Sequence, residues 1–172
     1  MIFADEVHSS LAPIITHTWA LVNQAPILKV SSSRKGITII GGITQDGRVV
    51  AQHTQDSMNA LGFIAFLTFL LRVLPNEKLV VFVDNHPMHK TPEVKAFVLE
   101  HQERLGLEYV PTYAPECNPV EWLWAWVKGK LAMRVLDCLA ELKEFWGLAL
   151  SAAQAFGLVQ KFWGASAIAK IC

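Results

Sequence analysis

Residues 79–94 read LVVFVDNHPMHKTPEV, and residues 107–128 read LEYVPTYAPECNPVEWLWAWVK. The first segment decides the fold. Leu79-Val80-Val81-Phe82-Val83 is a short run of β-branched and aromatic residues, which predicts a buried strand. The run ends in an acid, Asp84. In open α/β sheets the carboxyl edge of the strands is where ligands bind. In the second segment, Asn118-Pro119-Val120-Glu121 opens an apolar, Trp-rich helix and sets another acid on its first turn.

Working outward, Ile2 to Ala4 predicts a short first strand ending at Asp5. A loop holding Pro13 and Pro26 follows, with Trp19-Ala20-Leu21-Val22 between them. Residues 36–43 and 47–54 predict two strands, and Asp46-Gly47 between them is a hairpin signal. From Ser57 to Leu74, apolar residues at 58, 61, 64, 67, 70, 71 and 74 keep helical spacing, and Pro75-Asn76 stops it. Thr91 caps a further helix with Pro92 at its first position, running to Arg104, with Gly106 ending it. Leu107 to Val110 predicts a fifth strand. Asn118 caps a helix running to Arg134, Asp137 caps another to Phe156, and the tail is weakly helical. This order describes an α/β mixed sheet flanked by helices, in one domain spanning residues 1–172.

Composition sets outer limits. A chain of 172 residues builds one proper core. The apolar patch from Leu61 to Leu71 is broken by Gly62 and Thr68, and a membrane span needs about 20 residues. No basic region precedes an apolar core at the start, so no signal peptide is evident. The three cysteines, Cys117, Cys138 and Cys172, are widely spaced and point to free thiols in a reducing cytoplasm. The net charge is zero, so any nucleic-acid affinity would have to come from local clusters. Arg34 and Lys35, with Lys29, flank a Ser-rich loop, and Lys128, Lys130 and Arg134 follow Glu121. Each of these cations is as well explained as a solvated surface charge.

VDNHPMHK and PTYAPECNPVEWLWAWVK together resemble the catalytic core of DDE transposases, in the branch of mariner-like and bacterial insertion-sequence enzymes. That pattern has a strand ending in Asp-Asn, with a His a few residues on. A Pro-x-Tyr-x-Pro-x-x-Asn-Pro-x-Glu-x-x-Trp stretch follows. Asp84-Asn85, His89, Pro111, Tyr113, Pro115, Asn118, Pro119, Glu121 and Trp124 fill those places. The family's first acid lies in an Asp-Glu pair after a short apolar strand, matched by Asp5-Glu6. The resemblance implies a ribonuclease-H-like fold, a five-stranded sheet with the first and fourth strands adjacent. It implies that Asp5, Asp84 and Glu121 are catalytic acids and metal ligands, holding Mg²⁺ (Mn²⁺ as substitute), as two ions. It implies DNA as partner, both transposon ends and target, a homodimer, and action in the bacterial cytoplasm rather than at a membrane. The family's N-terminal helix-turn-helix region, which reads transposon ends, has no match in this sequence.

The chemistry explains why three acids should meet. Two like charges 4 Å apart cost roughly 4 kcal/mol at an effective dielectric near 20. A divalent cation with hard-oxygen preference turns that cost into attraction. Two such ions stabilise attacking and leaving oxygens in phosphodiester displacement. Each acid also has a bland explanation. Asp5 and Asp84 would serve as turn formers at strand ends. Asn118-x-x-Glu121 has the form of a capping box. His89 is expected to donate to DNA phosphate beside Lys128, Lys130, Arg34 and Lys35, or simply to pack in a loop. Asn85 would orient an acid or a water, and Asn118 would cap. Glu6 points to the sheet face opposite Asp5 and is secondary. Trp122 and Trp126, four apart, are expected in the core. Two alternatives stay open: a catalytically inactive DNA-binding or dimerisation fragment, and a ribonuclease-H-like nuclease acting on RNA–DNA hybrids.

Overall fold

The computed structural model describes residues 1–24, 27, 35–54, 57–111 and 117–165. Pro26, Lys29, Arg34, Tyr113, Pro115 and Cys172 lie outside the described residues. Five strands form one sheet: β1 (Ile2–Ser10), β2 (Gly36–Thr44), β3 (Val49–Thr54), β4 (Leu79–Val83) and β5 (Leu105–Tyr109). Five helices accompany them: α1 (Ala60–Val73), α2 (Pro92–Glu100), α3 (Pro119–Leu131), α4 (Leu139–Ala155) and α5 (Leu158–Ala165). A 3₁₀ turn, Pro87–Lys90, lies between β4 and α2. The sheet order is β3-β2-β1-β4-β5. β1, β2 and β3 pair antiparallel, while β4 pairs parallel with both β1 and β5. The expected adjacency of the first and fourth strands holds.

The first strand is much longer than its sequence suggests. It continues through Asp5 and Glu6 to Ser10 because β2 pairs with it without a break, from Ile2↔Thr44 to Ser10↔Gly36. Its parallel pairing with β4 covers only Ile2↔Val81 and Phe3↔Phe82. Asp5 therefore sits mid-strand, two residues past the point where β4 stops pairing with β1. It is not a turn former at a strand end. The Asp46-Gly47 turn forms as expected, and Gly47 takes φ +92°, a conformation that favours glycine.

Both faces of the sheet are covered. Phe3, Val7, Ile37, Ile39 and Ile43 pack with Val120, Leu123, Trp124 and Val127 of α3 and Leu142 and Trp146 of α4. Ile2, Ala4, Ile40, Val81 and Val83 pack on the other side with Phe63, Phe66, Leu67 and Leu70 of α1 and Val94 of α2. Side chains alternate along a strand. Asp5, between Phe3 and Val7, thus faces α3, whereas Glu6, following Ala4, faces α1. The Phe3 and Phe82 rings stack 4.7 Å apart across the β1–β4 pair.

Three helix boundaries differ from expectation. α2 stops at Glu100 because Leu105 and Gly106 are taken into β5 opposite Leu79 and Val80. Arg104 instead donates its guanidinium to the carbonyls of Leu71 and Leu74, at 3.2 and 2.9 Å, closing the end of α1. α3 stops at Leu131, and Met133 turns left-handed at φ +60° with its N–H bonded to the Ile14 carbonyl. Cys138, not Asp137, stands at the N-cap of α4, while the Asp137 N–H donates to Glu141 Oε2 at 2.9 Å.

Among the described residues no helix is long and apolar enough to cross a membrane. The α1 face of the sheet rests on a densely packed layer that includes the wholly buried Leu70. Leu70→Ala is expected to lower unfolding free energy by roughly 2–5 kcal/mol, measured by urea denaturation. A loss under about 1 kcal/mol would mean that this layer tolerates a cavity and is not the tight support described.

Candidate active site

Asp5 is half-buried, and its Oδ2 accepts a hydrogen bond from the Trp124 indole N–H at 3.2 Å. Its partner across the β1–β2 pair is Gly41. Burial pushes the Asp5 carboxyl up to about 7. The negative charge of Glu121 adds to the rise, as does that of Asp84, while bonds from the Glu6 backbone and from Trp124 oppose it. Asp5 thus feels two acids remote from it in sequence.

Asp84 follows β4 directly and is exposed. Its Oδ1 accepts the His86 N–H at 3.0 Å and lies 3.1 Å from His89 Nε2. Asn85 fastens the same corner. Its Nδ2 donates to the Val110 carbonyl at 2.7 Å and its Oδ1 accepts from Lys90 Nζ at 2.5 Å, tying the end of β4 to the end of β5. Asn85 thereby sets where Asp84 stands by holding backbone.

Glu121 rides the first turn of α3. The turn starts there for local reasons. Asn118 Oδ1 accepts the Val120 N–H at 3.1 Å, and Pro119 takes the first helical position, where no N–H is needed. Asn118 caps as expected, but the capping box is not made. Among the described residues nothing bonds the Glu121 carboxylate, which is exposed beyond the helix start. A carboxylate there is favoured by the helix dipole and is free to turn toward Asp5.

His89 corrects the sequence expectation. Its side chain is 2% exposed and packs edge-on to Phe63 of α1, ring centres 4.3 Å apart. A ring so buried is out of reach of DNA phosphate. It stands instead between two acids, 3.1 Å from Asp84 Oδ1 and 3.7 Å from Glu6 Oε1. Burial pushes its pKa down to about 4, against the pull of Asp84 and with help from His86. The neutral ring then donates from Nε2 to Asp84, leaving Nδ1 without a partner among the described residues.

Glu6 faces α1 as strand alternation predicts, yet it belongs to the acidic group. Burial pushes its carboxyl up to about 8, with Asp5 and then Asp84 adding to the rise. The tryptophans also depart from expectation. Trp124 is buried, whereas Trp122 is exposed and Trp126 only partly covered. The buried positions 120, 123, 124, 127 and 131 form the inner stripe of α3. Lys128 and Lys130 are exposed on the helix that carries Glu121, with Lys130 Nζ 5.6 Å from the Trp126 ring centre. Lys35 is exposed where the chain enters β2.

Carboxylate oxygens are the donors that Mg²⁺ and Mn²⁺ prefer. Asp5, Asp84 and Glu121 fit such an ion in chemistry, and the Asp5 carboxyl, raised first by burial and then by Glu121, is one that nearby positive charge would ionise. As the side chains lie, no three His, Cys, Asp or Glu among the described residues are grouped closely enough to hold a metal. Of the three, Glu121 is the one that no described partner restrains.

The charge group has a consequence for stability. Asp5 and Glu6 are raised in the folded state, so the stability tied to each is whole below the ordinary carboxylate range. It is lost as pH rises through about 7 and 8. His89 is lowered, so its stability is lost as pH falls from its unfolded value near 6.5 toward about 4. Two acids against one imidazole leave a net fall. Without divalent cation the melting temperature should drop between pH 5 and pH 8, and Asp5→Asn and Glu6→Gln should each flatten the drop. A rising profile over that range would show that these carboxyls are not raised.

The family model for the DDE superfamily endonuclease matches residues 1–143. The uncharacterized 39 kDa protein of insertion element IS630 from Shigella sonnei is 27% identical over 123 residues, which is 71% of this chain and 36% of that protein. The pre-cleavage Mos1 transpososome matches with a TM-score of 0.74 at 16% identity, over 98% of this chain and 52% of that one. The mariner Mos1 paired end complex with Mg matches with a TM-score of 0.68 at 19% identity, over 94% and 52%. A counterpart with Mn matches similarly, at 0.70. The chain thus spans about half the length of the Mos1 chains and about a third of the Shigella relative. At these identities the structural likeness speaks for a shared ribonuclease-H-like fold, and the match over residues 1–143 shows that the chain belongs to the DDE superfamily endonuclease family.

Proposed function

We propose that this chain is the catalytic domain of a transposase that cleaves DNA strands at the ends of a mobile element and joins them to target DNA. It would act as a homodimer in the bacterial cytoplasm. The observation that carries the reading is Asp5, held mid-strand by the indole N–H of the helix that bears Glu121, two residues past the point where the strand leading to Asp84 stops pairing with β1. Family membership supports it, as do the similar Mos1 complexes, which hold a transposon end, Mn or Mg.

Asp5, Asp84 and Glu121 would hold Mg²⁺, or Mn²⁺ in its place, as two ions. When bound, such cations supply Lewis-acid charge against phosphate oxygens. The chain's own groups do the rest. Trp124 and the sheet hold Asp5 from behind. His89 and the His86 N–H hold Oδ1 of Asp84, on a side chain that is otherwise exposed. Asn118 and Pro119 fix the helix start from which Glu121 reaches. Asp5, raised to about 7, would give up its proton if a cation were bound beside it. Lys128, Lys130 and Lys35 are exposed and would meet the DNA backbone, fixing register without reading sequence. Arg34 is assigned the same role from its sequence position.

The test is nicking of a DNA duplex carrying the element's terminal sequence, with Mg²⁺ or Mn²⁺. Asp84→Asn should lower the rate by at least about 100-fold, consistent with loss of one metal ligand on a phosphoryl-transfer centre. Equal nicking by wild type and variant would refute the assignment.

A further inference from the structure

The indole of Trp124 stands between two of the acids. It lies on α3 three residues after Glu121, and its N–H donates to Asp5 Oδ2 at 3.2 Å. The ring is 2% exposed and packs edge-on to Trp146, centres 5.8 Å apart. Trp146 is buried too, yet its own indole N–H has no partner among the described residues. Packing in this core therefore does not by itself require an indole N–H to be bonded, and the Trp124 bond needs another explanation.

Gly41 supplies part of it. It faces Asp5 directly across the β1–β2 pair. A Cβ built there would come 2.9 Å from Trp124 Cη2 and 3.1 Å from Ala51 Cβ. Real Cβ contacts of 2.9 Å are essentially never seen, so the far edge of the indole lies in the space that a side chain would fill. The ring is pinned at one end by a missing methyl and at the other by an acid.

We propose that Trp124 is a positioning residue for Asp5, with Gly41 as its seat. The indole donor on Oδ2, together with the bond from the Glu6 backbone, fixes the rotation of the carboxylate about its Cβ–Cγ bond. Because the donor rides the helix that carries Glu121, it also sets the distance between the β1 acid and the α3 acid. Groups that orient a ligating carboxylate typically carry about 10–100-fold in metal affinity. This rests on the reading of Asp5, Asp84 and Glu121 as metal ligands.

The experiment measures Mn²⁺ binding to the 172-residue chain by the electron paramagnetic resonance of free Mn²⁺, with Asp5→Asn as reference. Trp124→Phe keeps the packed ring and removes the donor. Gly41→Ala keeps the donor and displaces the ring. Both are expected to weaken Mn²⁺ binding by about 10-fold with wild-type circular dichroism. Nicking by both should recover toward the wild-type rate at saturating Mn²⁺, as a merely destabilised core would not. Wild-type Mn²⁺ affinity in Trp124→Phe, with binding lost in Asp5→Asn, would overturn the positioning role and leave the function standing. Unchanged binding in Asp5→Asn would overturn both. Should Trp124→Phe fail to fold, Gly41→Ala decides alone by the same criterion.

Discussion

A carboxyl placed on a partly dry strand is the constraint around which this site is arranged. Asp5 lies in the middle of β1, in the interior of a five-stranded sheet, with buried Ala4 before it and buried Val7 two residues on. Taking a carboxylate from water is costly, and further carboxylates nearby raise the cost. The protein meets it only in part, with one indole donor and one backbone bond. The remainder shows as a carboxyl that keeps its proton up to about 7, which is the state a bound cation would reverse under the function proposed above.

The topology makes such a place unavoidable. β4 runs parallel to β1 but pairs with it at only two positions, so β1 outruns β4 and leaves a notch at the end of the shorter strand. Asp84 sits at the lip of that notch. α3 packs on the sheet face that Asp5 shares, and its Trp124 bonds Asp5. Glu6, on the far face, reaches the notch from below through His89, which Phe63 holds in place. One sheet edge thus gathers acids from two strands and a helix, while the apolar layers on both faces keep the backbone rigid beneath them.

Much of this was legible from residues alone. The Leu79–Val83 strand matches residue for residue, because a five-residue apolar run flanked by polar turns has few other solutions. The Asp46-Gly47 turn, Thr91 with Pro92, and Asn118 with Pro119 were legible because capping and turn chemistry is local. β1 was not. An Asp-Glu pair looks like the end of a strand by propensity, and only the nine-residue partner β2 overrides it. The orientation of α3 was missed by attending to tryptophans four apart. The stripe Val120, Leu123, Trp124, Val127, Leu131 is the more apolar face and would have shown Trp124 inside. His89 and Glu6 gave no such signal, since their burial depends on α1, which no local pattern connects to them.

The most direct measurement is a crystal of the chain grown with Mn²⁺ and examined by anomalous diffraction. Manganese coordinated by oxygens of Asp5, Asp84 and Glu121, at about 2.1 Å as hard-oxygen sites require, is the expected result. Manganese bound elsewhere, or none at these carboxylates at saturating concentration, would contradict the claim that the gathered charge exists to hold a cation.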